Sequence, residues 1–267
     1  MHKKKVIHKL LLDTKDKIPF SSPSAQLVIY QPSIAEIGML GEPNFLMAVQ
    51  VLTKDYKKTI SKDNSDLDNL TNFDIIMSII KEKTENSKLI FVNILQLFEL
   101  IFPDYKIGVT PNSFIFQVKE NNDNLSSQII DNKNFDIFSQ YLYEMFALAS
   151  FSGQVIEDYN PAGDRARALV EKFKKKHEYL AQLRQEKGED TAVASIFGRY
   201  MNVLAVGERK NKNELSQYSV YQLIEEFKRF ELKEAFDYTL QAKMAGAKNV
   251  KDAKDWMQDI TFGVELE

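Results

Sequence analysis

The chain has 267 residues, 44% of them hydrophobic, enough to bury the core of one large domain or of two ordinary ones. Its 35 basic and 38 acidic side chains leave a net charge of −3, which excludes a global attraction to polyanions. The absence of cysteine excludes disulfides, thiolate metal sites and thiol nucleophiles, and fits a reducing cytoplasm.

At the N-terminus the basic start before Leu10-Leu11-Leu12 resembles a signal peptide, but the apolar run is short and Asp13 and Asp16 follow it directly, so no export signal is read. Residues 25–33 are β-rich and stop at Pro32; residues 5–12 are expected to pair with them, with KIPFSSPS (17–24) supplying the turn. Ser33 and Glu36 have capping-box spacing and open a helix that breaks at Gly41 and restarts with Pro43 in its first turn. Residues 54–71 read as a polar loop. Its Asp63, Asp66 and Asp68 fail as a calcium loop: counted from Asp66, the sixth position is Thr71 instead of Gly and the twelfth is Met77 instead of Glu.

Helices are expected over 72–83 and 86–103, the second apolar nearly all round and therefore central. Its longest apolar run, 89–102, is broken by Asn93, Gln96 and Glu99 and is too short for a bilayer span, which points to a soluble chain. Residues 105–119 alternate on either side of Pro111-Asn112-Ser113 and predict a hairpin, with 126–131 as a third strand. Asn134 is the expected cap of a helix whose Phe135, Phe138, Leu142, Met145 and Phe146 share one face.

From about residue 150 strand signals stop. The expected organisation is α+β: a mixed domain over 1–150, a linker near 151–160, and an all-helical C-terminal domain over 160–267. Its helices are read at 162–187, at 191–206 ending in a left-handed Gly207, at 219–246 with a Ser219–Gln222 capping box and a stop at Gly246, and at 249–260. The only tryptophan, Trp256, is expected to be buried against the 219–246 helix.

Residues 164–187 hold eight basic and four acidic side chains. Leu169, Phe173, Leu180 and Leu183 form an apolar stripe that sends Lys172, Lys175 and Lys176 to the other side, the pattern of an amphipathic helix with a solvated face. A nucleic-acid-binding accessory protein using this helix is the alternative function, and it lacks both a groove-reading motif and interleaved aromatics. The phosphate-cradle, nucleophile-elbow and zinc-protease motifs are absent, and His177 stands alone among lysines, so no catalytic, cofactor-binding or metal-ligating residue is named.

Four stretches, LVIYQPSIAEIGMLGEPNFLMAVQVLT (27–53), IIDNKNFDIFSQYLYEMFAL (129–148), YNPAGDRARALVEKF (159–173) and the long segment 218–260, resemble a family of tail-morphogenesis proteins of large tailed phages of Gram-positive hosts, the tail assembly chaperones or baseplate-associated proteins. The resemblance implies non-enzymatic work: contacts with other tail or baseplate proteins, the tape-measure protein among them, in the host cytoplasm during assembly or within the virion tail. It implies no membrane and no cofactor. The residues themselves point to the 219–246 helix as the contact. Val220, Leu223, Phe227, Phe230 and Phe236 cannot all face one neighbour while Tyr221, Ile224, Tyr238 and Leu240 are also placed. Tyr221, Phe227, Phe230, Phe236 and Trp256 are the candidate partner-binding residues.

Overall fold

The computed structural model describes residues 6–14, 16–56, 70–82, 84–119, 127–150, 195–247, 250, 252 and 254–257. In chain order the elements are α1 (Lys9–Thr14), β1 (Lys17–Ser22), β2 (Ala25–Tyr30), α2 (Ile34–Leu40), α3 (Glu42–Thr53), α4 (Asn72–Lys81), α5 (Glu85–Ile101), β3 (Tyr105–Thr110), β4 (Ser113–Val118), β5 (Gln128–Ile130), α6 (Phe135–Met145), a 3-10 turn (Leu148–Ser150), α7 (Ile196–Gly207), α8 (Lys212–Leu215) and α9 (Val220–Met244). The fold is α+β, with strand hairpins and helices first and helices after them. Asp63, Asp66 and Asp68, the 151–160 linker and the basic 162–187 helix lie outside the described residues.

The first hairpin differs from the expected one. β2 pairs with Lys17–Ser22, and residues 9–14, read from sequence as part of the pairing strand, form α1. The reason is period: Ile18 and Phe20 alternate inward at 0% and 1% exposure, while Pro19 points outward on an edge strand, where a missing N–H costs nothing. The turn is confined to Pro23-Ser24, since Ser22 already faces Ala25. The second hairpin turns at Pro111-Asn112, and Ser113 begins the strand instead of belonging to the turn. β5 completes this sheet in the order β3-β4-β5. The two sheets meet through side chains: Gln128 Oε1 accepts from Gln26 N at 2.8 Å, and the Tyr105 hydroxyl accepts from Val28 N at 3.2 Å.

Asn134 precedes α6 as expected, but its side chain does not cap the helix. At 1% exposure it is a buried junction: Oδ1 accepts from Asp131 N at 2.9 Å, while Nδ2 donates to Ile129 O at 2.8 Å and Ser24 Oγ at 2.9 Å. Capping boxes form at two of the N-terminal helices. Ser33 and Glu36 cap α2 as read from sequence, and Thr71 and Asp74 cap α4 by the same reciprocal bonds.

The core is built from phenylalanines. Phe98 on α5 has ring centroids of Phe114, Phe116, Phe138 and Phe102 at 5.0, 5.7, 6.0 and 6.1 Å, mostly edge to face. Helix α5 is nevertheless not enclosed all round, because Leu89 and Val92 are 48% and 47% exposed on its outer side. The C-terminal helices close on the same core: Phe197, Leu204, Leu215, Leu223 and Ile224 are buried in one cluster with the N-terminal residues. No helix among the described residues is long and apolar enough to cross a membrane.

Candidate interaction surface

Polar bonds fix how the three C-terminal helices sit. Ser195 caps α7, and Glu42 at the start of α3 accepts from Ser195 Oγ, from Ile196 N at 2.6 Å and from Phe197 N at 3.4 Å, so a carboxylate meets the positive end of the helix. The Ser219–Gln222 capping box opens α9. Its cap lies in an antiparallel bridge with Ser33, the cap of α2, flanked by Ile34 N to Tyr218 O at 2.9 Å and Ala35 N to Ser216 O at 2.8 Å. Gln222 Nε2 reaches the Asp13 carbonyl at 2.7 Å, and Lys9 pairs with Glu225 at 3.4 Å. The start of α9 is thereby locked to both α1 and α2.

Helix α9 has 25 residues, and at about 1.5 Å each it is roughly 37 Å long. Only its first turns reach the core. Val220, Tyr221, Leu223 and Ile224 are buried, so the Tyr221 ring is held inside its own chain at 4% exposure. Phe227 and Phe230 are half-buried against α7: Phe227 stacks on Tyr200 with centroids 4.3 Å apart, and the Phe230 ring lies over Gly207. A Cβ at Gly207 would stand 2.4 Å from Phe230 Cζ, so this glycine serves close approach. It is the last helical residue and not a left-handed cap, the positive φ falling on Arg209 at 58°. Phe236 is half-buried on the far half of α9.

The expected 249–260 helix is not seen among the described residues of that span. Residues 250, 252 and 254–257 are non-helical, because α9 ends in a Schellman turn: Gly246 has φ 81°, with Ala247 N bonded to Ala242 O and Gly246 N to Lys243 O. Trp256 is half-buried, not buried; its carbonyl accepts from Arg229 Nη1 at 2.7 Å, which sets it against α9 as expected. Trp256→Ala is therefore expected to cost about 1–2 kcal/mol, well below the figure for an enclosed aromatic, as measured by urea denaturation.

The five candidate residues do not form one patch. What the outer half of α9 presents instead is Tyr238 at 66%, Leu240 at 48% and Met244 at 80% exposure, with Met257 at 70% on the segment after it. Tyr238 and Leu240 carried a sequence signal, an apolar excess that no single face can absorb. Met244, Met257 and the 82% exposed Val206 carried none, since isolated apolar residues say nothing about burial.

Where α7 leads into α8, Lys210 reaches Glu226, Glu208 Oε2 at 3.3 Å and the Tyr218 hydroxyl at 3.5 Å. Burial, together with the neighbouring Glu226, pushes the Glu208 carboxyl above the usual range. Burial opposes the Lys210 ammonium, but the bond to Glu226 outweighs it and raises the lysine. A raised carboxyl favours its neutral form, so ionising Glu208 costs stability as pH rises through its folded value. Lys210→Met should cost about 1–2 kcal/mol at about pH 7, leaving two carboxylates facing each other, and less at acid pH, where the raised Glu208 carboxyl takes up its proton. Denaturation of the variant at both pH values checks the sign.

Among the described residues no group of three or more His, Asp or Glu side chains is placed to hold a metal ion. An apolar cavity of about 440 Å³ is lined by Leu46, Gln50, Thr53, Lys54, Tyr143, Leu148 and Ile196. A second of about 520 Å³ lies between α4 and the β3–β4 turn, with Asp74, Lys81, Asn112 and Asp131 on its walls.

Residues 197–261 match the family model described as the YomV second domain. YomV is a protein encoded by a Bacillus phage, and the match suggests a phage-related family. It covers α7, α8, α9 and the segment that follows, the part of the chain that carries Tyr238, Leu240 and Met244. No curated protein and no solved structure matches the chain.

Proposed function

We propose that this chain is a non-enzymatic phage tail or baseplate morphogenesis protein that works through protein–protein contacts, either as a virion subunit or as a tail assembly chaperone. The observation that carries the reading is the outer half of α9. It is an apolar helix end that its own chain leaves exposed at Tyr238, Leu240 and Met244, within the region similar to a phage-encoded domain. Exposed apolar side chains gathered on one helix end, inside the matched region, support a place for a partner. The partner class is another tail or baseplate protein, with the tape-measure protein as one member, met in the host cytoplasm during assembly.

Mass spectrometry of purified virions, paired with tagged capture from infected cells, tests this. Abundant virion peptides identify a subunit. Absence from virions together with co-purification of tail precursors identifies a chaperone. Absence from virions without any tail protein in the capture overturns the proposal.

A further inference from the structure

A strand at the edge of a sheet turns every second backbone unit outward, and this chain closes several of those units itself. On β2 the Gln26 and Val28 amides donate to Gln128 Oε1 at 2.8 Å and to the Tyr105 hydroxyl at 3.2 Å. On β5 the Ile129 carbonyl accepts from Asn134 Nδ2 at 2.8 Å. On β1 an outward position is held by Pro19, which has no N–H to offer. The edge of β3 has no such closure. Its two-residue turn makes Thr110 and Ser113 a hydrogen-bonded pair, and the bond from Lys119 N to Asp104 O at 2.9 Å falls in step with it, so the even-numbered residues bond to β4. Ile107 and Val109 therefore turn their N–H and C=O away from the sheet, and among the described residues no bond reaches those groups.

Burial also falls off across the sheet towards β3. Phe114 and Phe116 on the central strand are 0% exposed, whereas Val109 and Ile107, paired with them on the same inner face, are only half-buried. Gly108 stands between these two on the outer face. Its backbone is ordinary strand, and a Cβ there would lie 3.7 Å from Ile115 Cβ, a normal contact. Neither conformation nor crowding within the chain calls for a glycine, and a glycine in mid-strand marks a place where another chain comes close.

We propose that β3 pairs with β3 of a second copy of this chain, antiparallel across the open edge, with Ile107 opposite Ile107. In this register Ile107 exchanges both backbone bonds with its counterpart. Each Val109 N–H meets the Tyr105 carbonyl of the other copy, the Tyr105 N–H being already bonded to Phe102 O at 3.1 Å. Tyr105 lies opposite Val109, so apolar side chains cover one another on the inner face. Lys106 lies opposite Gly108, so its stem crosses bare backbone and no two cations meet. A two-fold interface must draw both of its halves from one strand, and β3 supplies them in this register. The edge is separate from outer α9, so the inference goes beyond the reading of that helix.

Sedimentation velocity of the full chain over a concentration series tests this, with hydrogen exchange on the same samples. The unaltered chain is expected to dimerise, and residues 105–110 to gain amide protection as it does, while α9 gains none. Gly108→Lys and Gly108→Glu alter an exposed position where a side chain fits, and circular dichroism checks that both variants fold. The first sets like charges across the pair, and the second sets a carboxylate against Lys106. Their dimer dissociation constants should differ by at least about tenfold, with Gly108→Glu the tighter. Adding Lys106→Glu to Gly108→Lys exchanges the two signs and should recover the dimer. A chain that stays monomeric over the whole series overturns the proposal. So do equal dimerisation of the two single variants, no recovery in the double one, or a dimer whose new protection lies outside β3. None of these failures touches the virion and capture results, so the two readings are separable.

Discussion

Phe98→Ala is expected to destabilise the chain by about 3–5 kcal/mol, the range for removing an enclosed aromatic ring. Phe98 is fully buried and sits among Phe102, Phe114, Phe116 and Phe138, which come from the C-cap of α5, the central strand β4 and helix α6. Removing it takes the shared contact from three elements at once. The neighbouring rings are held by strand register on one side and a helix on the other, so they cannot collapse into the space. Urea denaturation followed by far-ultraviolet circular dichroism measures the loss. A cost near 1 kcal/mol would mean that the aromatic cluster relaxes freely and is not the anchor described.

Phe197→Ala is expected to cost about as much, roughly 3–4 kcal/mol, with a different signature. Phe197 is 1% exposed and is the point where α7 enters the N-terminal core, its ring 6.2 Å from that of Phe45 on α3. The loss should concentrate in α7, α8 and α9, because Phe197 is the ring that α7 sends against Phe45, whereas α5 and α6 keep the Phe98 cluster intact. Hydrogen exchange by mass spectrometry should show these three helices losing protection before α5 and α6. Equal loss throughout would show that the helices and the N-terminal part unfold as one inseparable unit.

Elements announced by local chemistry were readable from sequence. The Ser33–Glu36 and Ser219–Gln222 boxes, the break at Gly41 and the stop at Gly246 are each decided by a few adjacent residues, and each appears in the structure. Elements decided by distant packing were not. Lys17–Ser22 looked like a turn because of Pro19 and its serines, until Ile18 and Phe20 found an interior to face. Asn134 looked like a helix cap, but its position over β5 and Ser24 made it a buried junction. Gly207 looked like a left-handed stop, although what requires a glycine there is the Phe230 ring from α9. The division near 151–160 lies outside the described residues, and the helices after 195 share the core of the N-terminal part.

The candidate surface was partly readable for the same reason. Counting apolar residues on the 219–246 helix showed that one neighbour could not take them all, but not which ones would be left over. Tyr221 went inside, Phe227 and Phe230 went to α7, and the exposed set moved outward to Tyr238, Leu240 and Met244. A helix longer than the body it packs on shifts its exposed residues towards its free end, and the length of that body is a tertiary property.

The central claim is that outer α9 is where this chain meets a tail protein. A tagged chain carrying Tyr238→Lys, Leu240→Lys and Met244→Lys together, expressed in phage-infected host cells, tests it most directly. All three positions are exposed, so the fold is expected to persist, with circular dichroism and the melting temperature as the check. Quantitative mass spectrometry of the captured proteins should show phage tail proteins with the unaltered chain and at least about a tenfold loss of them with the triple variant. Equal recovery of tail proteins by a folded triple variant would contradict the claim and place the contact elsewhere on the chain.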